Sequence, residues 1–414
     1  MTVQYSEVAI ATDPEAYNHD LITTVLIAPE YSSTADRIVY NTTKAAGGTV
    51  TLAHASGSPF RTLRVSSTTD TVSRSVLTEE AFDLPSYTAV YGGAYKPSGS
   101  IEGLMRFWDF GGQFQDAYSQ YYYSPFLMGI MGYQTPTTIS SADVDSVGCP
   151  TGGSAIAGLR YELSTLPATV AIKITDVSAR HTADSSRGST VVYRGCGIAN
   201  TEITLAAEDF VKFTANFSGR SAEAYQTAYS SSTDVTDEPA VFTNAELRFT
   251  PDGGSVSNLL CKNFTISLAR TIDETNTILI GSEFKIDMVY SGVVELRGTI
   301  DMDPNEWDRL YTVVAGSSDV TKETLDEEKL NFNGDTCNGT VLANAIPAGR
   351  LEIILHKPDG TRPVAYFNIG TAKLTDMTRS KRGQEQYTKS ISYVAQVGSV
   401  TADKFYIDVF EPAA

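Results

Sequence analysis

The side chains that could perform acid–base or nucleophilic chemistry stand apart from one another. His19, His54, His181 and His356 occur singly, without the H-E-x-x-H spacing that places a base and metal ligands on one helix face. Ser154 lies among glycines but lacks the strand–turn–helix setting that exposes a nucleophilic serine. We therefore expect no catalytic residues and no enzymatic activity.

The glycine pairs and acidic clusters lack the patterns of cofactor and metal sites. Gly92-Gly93 and Gly253-Gly254 carry neither the Lys-Ser/Thr of a phosphate loop nor a dinucleotide fingerprint, so we expect hairpin turns there. Glu79-Glu80 and the acidic run 326–328 lack the alternating spacing of a calcium loop and are predicted to be solvated faces. The sequence predicts no cofactor and no bound metal.

The cysteines and one tyrosine cluster offer structural rather than chemical interpretations. Cys149, Cys196, Cys261 and Cys337 form no C-x-x-C pair and have no histidine at ligand spacing, so we expect free, mostly buried thiols. A disulfide is the alternative. The three adjacent tyrosines at 121–123 cannot all face one core, so a core position and an interface anchor both stay open.

The charge of the chain excludes one class of function. Its 414 residues include 49 acidic and 31 basic side chains, for a formal net charge of −18. Binding to nucleic acid by phosphate neutralisation needs clustered cations, so that mode is excluded. The same repulsion suits a surface past which nucleic acid slides without sticking. With no basic, then apolar leader and no run of 18 apolar residues, we expect neither a signal peptide nor a membrane segment.

An ungapped internal repeat is the most informative feature of the sequence. Residues 89–109 match residues 288–308 at a constant offset of 199. The seven identical pairs are Val90/Val289, Tyr91/Tyr290, Gly93/Gly292, Gly99/Gly298, Ile101/Ile300, Trp108/Trp307 and Asp109/Asp308. Self-similarity at a fixed offset indicates duplication of a domain.

The domain boundaries follow from the repeat and from composition. We expect an N-terminal arm with the first strands at 1–44 and a first β-domain at 45–225, the latter with an exposed Gly/Ser/Thr-rich loop at 134–158. A polar linker at 226–240 then leads to a second β-domain at 241–414.

Alternation of apolar and polar residues predicts strands in both copies. The predicted strand segments are 170–174, 191–193, 211–217, 247–249, 264–268, 284–290, 294–300, 351–355, 364–369, 391–397 and 405–410. A capping box and an apolar stripe predict one helix that starts at Asp303, and Phe114, Ala117, Tyr118 and Tyr121 predict its first-copy equivalent. The expected fold is mainly β: two tandem β-sandwich or barrel domains, each with one short α-helix packed against it.

The repeated unit resembles a known family. In the first copy the resemblance rests on SPFRTLR at 58–64 and GSIEG at 99–103. In the second it rests on NFTISL at 263–268, GTID at 298–301 and LEIILH at 351–356. These segments resemble the tail tube proteins of long-tailed bacteriophages and archaeal tailed viruses, in the version with two tube domains in one chain.

The resemblance implies a structural function. Three chains would complete a pseudo-sixfold ring, and stacked rings would form the tail tube through which viral DNA passes without specific binding. The implied partners are further copies of the chain, the tape measure, terminator and baseplate proteins, and a sheath where the tail has one. The implied location is the virion tail, after synthesis in the host cytoplasm. The N-terminal 40 residues and the loop at 134–158 are the expected ring–ring contacts.

Three other functions are compatible with a tandem β-protein. A terminator or baseplate ring would form a single ring and would not polymerise. A carbohydrate-binding adhesin would present aromatic platforms, but the chain has only two tryptophans, at equivalent positions of the repeat. A hydrolase would need two converging carboxylates, and nothing in the sequence points to such a pair.

Overall fold

The computed structural model describes residues 21–32, 50–52, 61–80, 87–107, 114–115, 121–122, 124–131, 158–163, 169–178, 189–225, 240, 245–251, 257–273, 289–302, 348–356, 363–380, 388–395 and 404–410. Within these ranges the chain is almost entirely antiparallel β-structure, with one short helix. The prediction of a mainly β fold is confirmed.

The first half of the chain contains twelve of the described strands and the helix. They are β1 (Leu21–Ser32), β2 (Val50–Leu52), β3 (Arg61–Leu63), β4 (Val65–Glu80), β5 (Tyr87–Leu104), β6 (Phe114–Gln115), β7 (Tyr121–Tyr122), α1 (Pro125–Met131), β8 (Gly158–Glu162), β9 (Val170–Ser178), β10 (Ser189–Ala206), β11 (Lys212–Ser218) and β12 (Ser221–Tyr225).

The second half contains the other eight described strands. They are β13 (Ala245–Pro251), β14 (Ser257–Leu259), β15 (Cys261–Asp273), β16 (Val289–Met302), β17 (Ala348–His356), β18 (Pro363–Ser380), β19 (Thr388–Ala395) and β20 (Phe405–Phe410).

The period-two pattern explains why these segments are strands. In β11, Phe213 and Phe217 are buried while Thr214 and Asn216 are exposed, as expected for a strand with one face on the core. In β20, which lies between β18 and β8, all six residues are buried. The predicted strands that fall within the described residues are confirmed; residues 284–288 and 396–397 lie outside them.

Each half repeats one pattern of strand pairing around a long central strand. In the first half, β10 pairs at its N-terminal end with β9 and β12 and at its C-terminal end with β11, which continues through β5 to β4. In the second half, β18 pairs with β17 and β20 and then with β19, which continues through β16 to β15. Likewise β1 lies between β3 and β9, as β13 lies between β14 and β17.

The repeated glycines explain why the register is the same in both halves. Gly99 lies opposite Phe217, and Gly298 lies opposite Tyr393. A Cβ at Gly99 would come within 2.5 Å of the Phe217 ring, and one at Gly298 within 2.5 Å of the Tyr393 hydroxyl oxygen. Only glycine leaves room for an aromatic ring from the neighbouring strand at this close approach.

One apolar core extends through both halves. Buried side chains of the first half, such as Phe213 and Ile203, belong to the same cluster as Phe264 and Phe367 of the second. The rings of Phe107 and Phe367, one from each half, meet edge to face with centroids 5.9 Å apart. The two halves therefore stabilise each other by burial as well as by strand pairing.

The helix of the first copy begins later than predicted. Phe114–Gln115 and Tyr121–Tyr122 are short paired strands, and the helix spans Pro125–Met131. The Leu127 amide donates to the Ser124 hydroxyl at 3.3 Å, so Ser124 caps the helix and Pro125 occupies its first position. The helix predicted from the stripe that begins at Phe114 is therefore wrong. The Ser124-Pro125 cap determines where the helix starts, and the helical spacing of the aromatic residues before it does not.

Other expectations are corrected or untested. Gly92-Gly93 lies inside β5 opposite β4 and is not a turn. A register shift at this point gives β5 one more residue than β4, because Arg74 pairs with Tyr95 and Val76 with Gly92. Residues 221–225, at the end of the predicted first β-domain, form β12. Residue 158, the last of the predicted loop 134–158, is the first residue of β8. The helix predicted at Asp303, residues 134–157 of the loop and the linker residues 226–239 lie outside the described residues, and the domain boundaries stay a prediction.

Replacing Gly298 by alanine tests the glycine–aromatic packing. The new methyl group would collide with the Thr265 carbonyl and the Tyr393 ring, so we expect the free energy of unfolding to fall by about 2 kcal/mol. The free energy of unfolding is measured by urea denaturation followed by fluorescence. The matched control, Thr214→Ala on an exposed position of β11, should change it by less than about 0.5 kcal/mol. Equal effects of the two variants would contradict this packing.

Candidate functional site

The two halves of the chain are joined edge to edge along what we call the seam, residues 200–206 of β10 paired with residues 263–269 of β15. In this register Ile203 lies opposite Ile266 and Leu205 opposite Phe264, and all four side chains are buried. The seam is therefore a dry, hydrogen-bonded junction rather than a loose contact between domains.

A second junction joins β8 of the first half to β20 of the second. Arg160 donates two hydrogen bonds to the Asp408 carboxylate, at 2.7 and 2.8 Å, and its guanidinium lies 4.0 Å from the centre of the Tyr406 ring. Lys404 and Glu162 form an ion pair at 2.8 Å beside it. The Asp408 side chain is only 2% exposed, so this fork-shaped pairing compensates a desolvated charge.

Arg270 provides a third contact between the halves. It belongs to β15, is 4% exposed, and donates to the carbonyl oxygens of Ile130 and, at 3.4 Å, Met131. These carbonyls lie at the C-terminal end of α1, where unpaired carbonyls attract a cation. The second half thus holds the first half's helix in place.

A polar network covers one face of β17 and β18. The Tyr366 hydroxyl donates to the Glu352 carboxylate, and Arg350 donates to Asn368 and to the Tyr366 hydroxyl oxygen, both at 2.6 Å. Burial raises the pKa of Tyr366 well above its ordinary value. A phenol that stays protonated and paired acts as a structural hydrogen-bond donor and not as an acid or base.

Metal ligands and ionisable thiol or imidazole groups are the side chains to consider for chemistry. The described residues contain no group of three or more His, Cys, Asp or Glu side chains placed to hold a metal ion. Burial raises the pKa of the Cys261 thiol to about 12, and burial lowers the pKa of His356, which leaves its imidazole neutral at pH 7. Cys261 lines a pocket whose other walls are apolar side chains of β10, β13, β14, β15 and β17.

The remaining candidate residues are accounted for as follows. Cys196 and Cys261 form no disulfide, as predicted. Cys149, Cys337, Ser154, the other three histidines and the acidic run 326–328 lie outside the described residues. No helix in the described part of the chain is long and apolar enough to span a membrane.

The sheet that contains the seam has a polar outer face. Eight described strands follow one another in the order β4, β5, β11, β10, β15, β16, β19 and β18. One row of directly opposed residues on this face comprises Ser67, Glu102, Thr214, Glu202, Ser267, Arg297, Val394 and Lys373. The two carboxylates and the two cations of this row balance, and three of its eight residues carry a hydroxyl group, so the row is polar and has no net formal charge.

The two ends of this eight-stranded sheet are open edges in the described part of the chain. Among the described strands, β4 pairs only with β5, and residues 376–380 of β18 pair only with β19. Unpaired backbone N–H and C=O groups on a long edge strand favour pairing with another chain.

Comparison with known protein families identifies the chain. The model of the family described as phage tail tube protein matches residues 116–326, a stretch that includes α1 and both strands of the seam. The chain belongs to the phage tail tube protein family. No curated protein matches the chain. The resemblance drawn from the repeat is confirmed: a phage tail tube protein is a structural component of the virion tail.

The sequence interpretation missed the seam of this tail tube protein. The signal was present but sits at a different offset: β4 and β15 correspond at 196 rather than 199, which pairs Thr69 with Thr265 and Arg74 with Arg270. A comparison at a single offset does not find it, because insertions between the paired strands change the spacing.

Removing the arginine of the second junction tests how firmly the halves are joined. Arg160→Ala leaves the buried Asp408 carboxylate unpaired, so we expect the free energy of unfolding to fall by about 3 kcal/mol. The matched control is Arg297→Ala, which breaks the exposed ion pair with Glu295 and should cost less than about 1 kcal/mol. Chemical denaturation of the unassembled chain measures both. If the Arg160 variant is no less stable than the control, the junction contributes nothing.

Proposed function

We propose that three copies of this chain close into a ring of six half-chain units, and that stacked rings form the tail tube through which viral DNA passes into the host. The observation that carries the proposal is the seam: two copies of one strand pattern already stand side by side, joined edge to edge. An edge-to-edge contact between related units either closes into a ring or continues as a filament.

The strand count supports a ring of this size. Eight strands per chain and three chains give a barrel of 24 strands. Strands about 4.8 Å apart and tilted by about 40° would then enclose a barrel roughly 48 Å across between backbones. That width admits a DNA duplex after the side chains of the wall are counted.

The polar face of the sheet suits the wall of a DNA channel. Tight contact with DNA needs several cations placed to neutralise phosphates. Arg297 is paired with Glu295 on this face, and Lys212 is paired at 2.6 Å with Asp209 at the neighbouring turn. Three chains carry a formal charge of −54, three times −18, which repels DNA from the assembly as a whole. Hydroxyl groups and internally paired charges would let DNA slide.

The partners follow from the same proposal. Rings stack on identical rings, and the ends of the tube meet the terminator and baseplate proteins. The tape measure protein occupies the tube during assembly, and a sheath surrounds it where the tail has one. The N-terminal 40 residues and the loop at 134–158 are the proposed ring–ring contacts. The chain is made in the host cytoplasm before it joins the tail.

Electron microscopy of the purified, concentrated protein tests the function directly. We expect hollow tubes or stacks of rings in negative stain, with end-on views that show threefold symmetry and a central opening wider than a DNA duplex. Single rings that never stack at any protein or salt concentration would favour a terminator or baseplate ring. Persistent monomers would overturn the proposal and direct the next experiments to glycan binding.

A further inference from the structure

Equivalent strands of the two halves differ in whether their outer edge is paired with another strand, and the unpaired edge is an exposed surface. β4 and β15 occupy the same place in the repeated pattern, but among the described strands only β15 has a partner on its outer edge. As a result Leu268 is 4% exposed, while Val72 at the equivalent position of β4 is 43% exposed. Arg270 of β15 is likewise buried. The equivalent residue of β4, Arg74, is exposed, and its guanidinium carbon lies 4.7 Å from the centre of the Tyr95 ring on the neighbouring strand β5.

The opposite end of the sheet shows the complementary difference. Residues 200–206 of β10 follow a register shift at Ala199 and pair with β15. Residues 376–380 of β18 follow the equivalent shift at Thr375, yet they have no second partner among the described strands. Each chain thus has one half of a seam at each end of its sheet.

We propose that these two edges pair between chains, and that residues 69–73 of one chain bind residues 376–380 of the next copy as an antiparallel pair. The inference rests on the proposed ring and adds the strand pairing that joins neighbouring chains within it. The seam supplies the register: Thr201 lies opposite Leu268, so Met377 lies opposite Val72 in the next chain. By the same relation Asp376 lies opposite Ser73, and Ser380 opposite Thr69.

The residues at the paired positions complement each other. Ile203 and Ile266 face each other in the seam, and the equivalent pair between chains is Arg379 and Asp70. Directly opposed residues of an antiparallel pair share one face, so opposite charges there attract. The Tyr193 hydroxyl donates to the Asp70 carboxylate and holds it in place. Charges on open edges also limit unspecific pairing before assembly, whereas the seam, formed within one chain, can be apolar.

Disulfide cross-linking of assembled tubes tests the register. Oxidation of a Val72→Cys/Met377→Cys variant should link neighbouring chains and yield covalent dimers and trimers on denaturing gels. The matched control is Val72→Cys/Thr378→Cys, in which the second cysteine shifts by one residue and projects from the opposite face. The unsubstituted chain, with its four native cysteines, gives the baseline.

The outcomes separate this inference from the proposed function. Tubes that form normally but cross-link no more than the control would overturn the register and leave the tube function standing. If the unsubstituted chain forms neither rings nor tubes, the proposed function fails, and the inference fails with it.

Charge reversal tests the same contact without cysteines. Arg379→Asp alone should abolish tubes seen by electron microscopy, and Asp70→Arg/Arg379→Asp should restore them, while circular dichroism shows that each variant is folded. Glu102→Arg, at an exposed position on β5, which is paired on both sides by β4 and β11, is the control and should assemble normally. Normal assembly of Arg379→Asp, or failure of the double reversal to assemble although it is folded, would contradict the pairing.

Discussion

The structure depends on the pairing of β10 with β15, because that pairing joins the four strands β4, β5, β11 and β10 to the four strands β15, β16, β19 and β18 in one eight-stranded sheet. The backbone N–H and C=O groups along the seam are hydrogen-bonded within the chain, so they cannot pair with another chain. Arg270 and the Arg160–Asp408 fork add two further contacts that hold the halves together. A ring also needs a fixed orientation of one half relative to the other, because a variable angle between the halves would prevent ring closure.

Because the two units lie in one chain, the seam between them and the proposed contact between chains can differ in chemistry. The seam forms during folding and can bury Ile203 against Ile266 without risk to solubility. An open edge must stay soluble until a partner arrives, and β4 carries Asp70 and a run of threonines and serines there. Fusion of two units thereby halves the number of junctions that assembly has to form.

Much of the fold could be predicted from the sequence, because strands with one face on the core alternate in polarity, as Phe213 to Phe217 do. The helix could not, since the seven residues after Ser124 are apolar all round and show no stripe. The seam was not predicted either, because the correspondence of β4 with β15 lies at an offset of 196 and not at the 199 of the repeat. The paired residues of the seam lie 57 to 69 positions apart, and the apolar side chains that mark it look like those of any buried strand. The polar outer face was likewise hidden, because it combines residues from eight strands.

A cryo-electron microscopy reconstruction of the assembled tube tests the central claim most directly. The seam within a chain and the junction between chains should alternate around each ring, with three chains per ring, and the two junctions should superimpose strand for strand. The result that would contradict the account is a ring in which β4 and the C-terminal end of β18 remain unpaired, or in which six whole chains surround the channel.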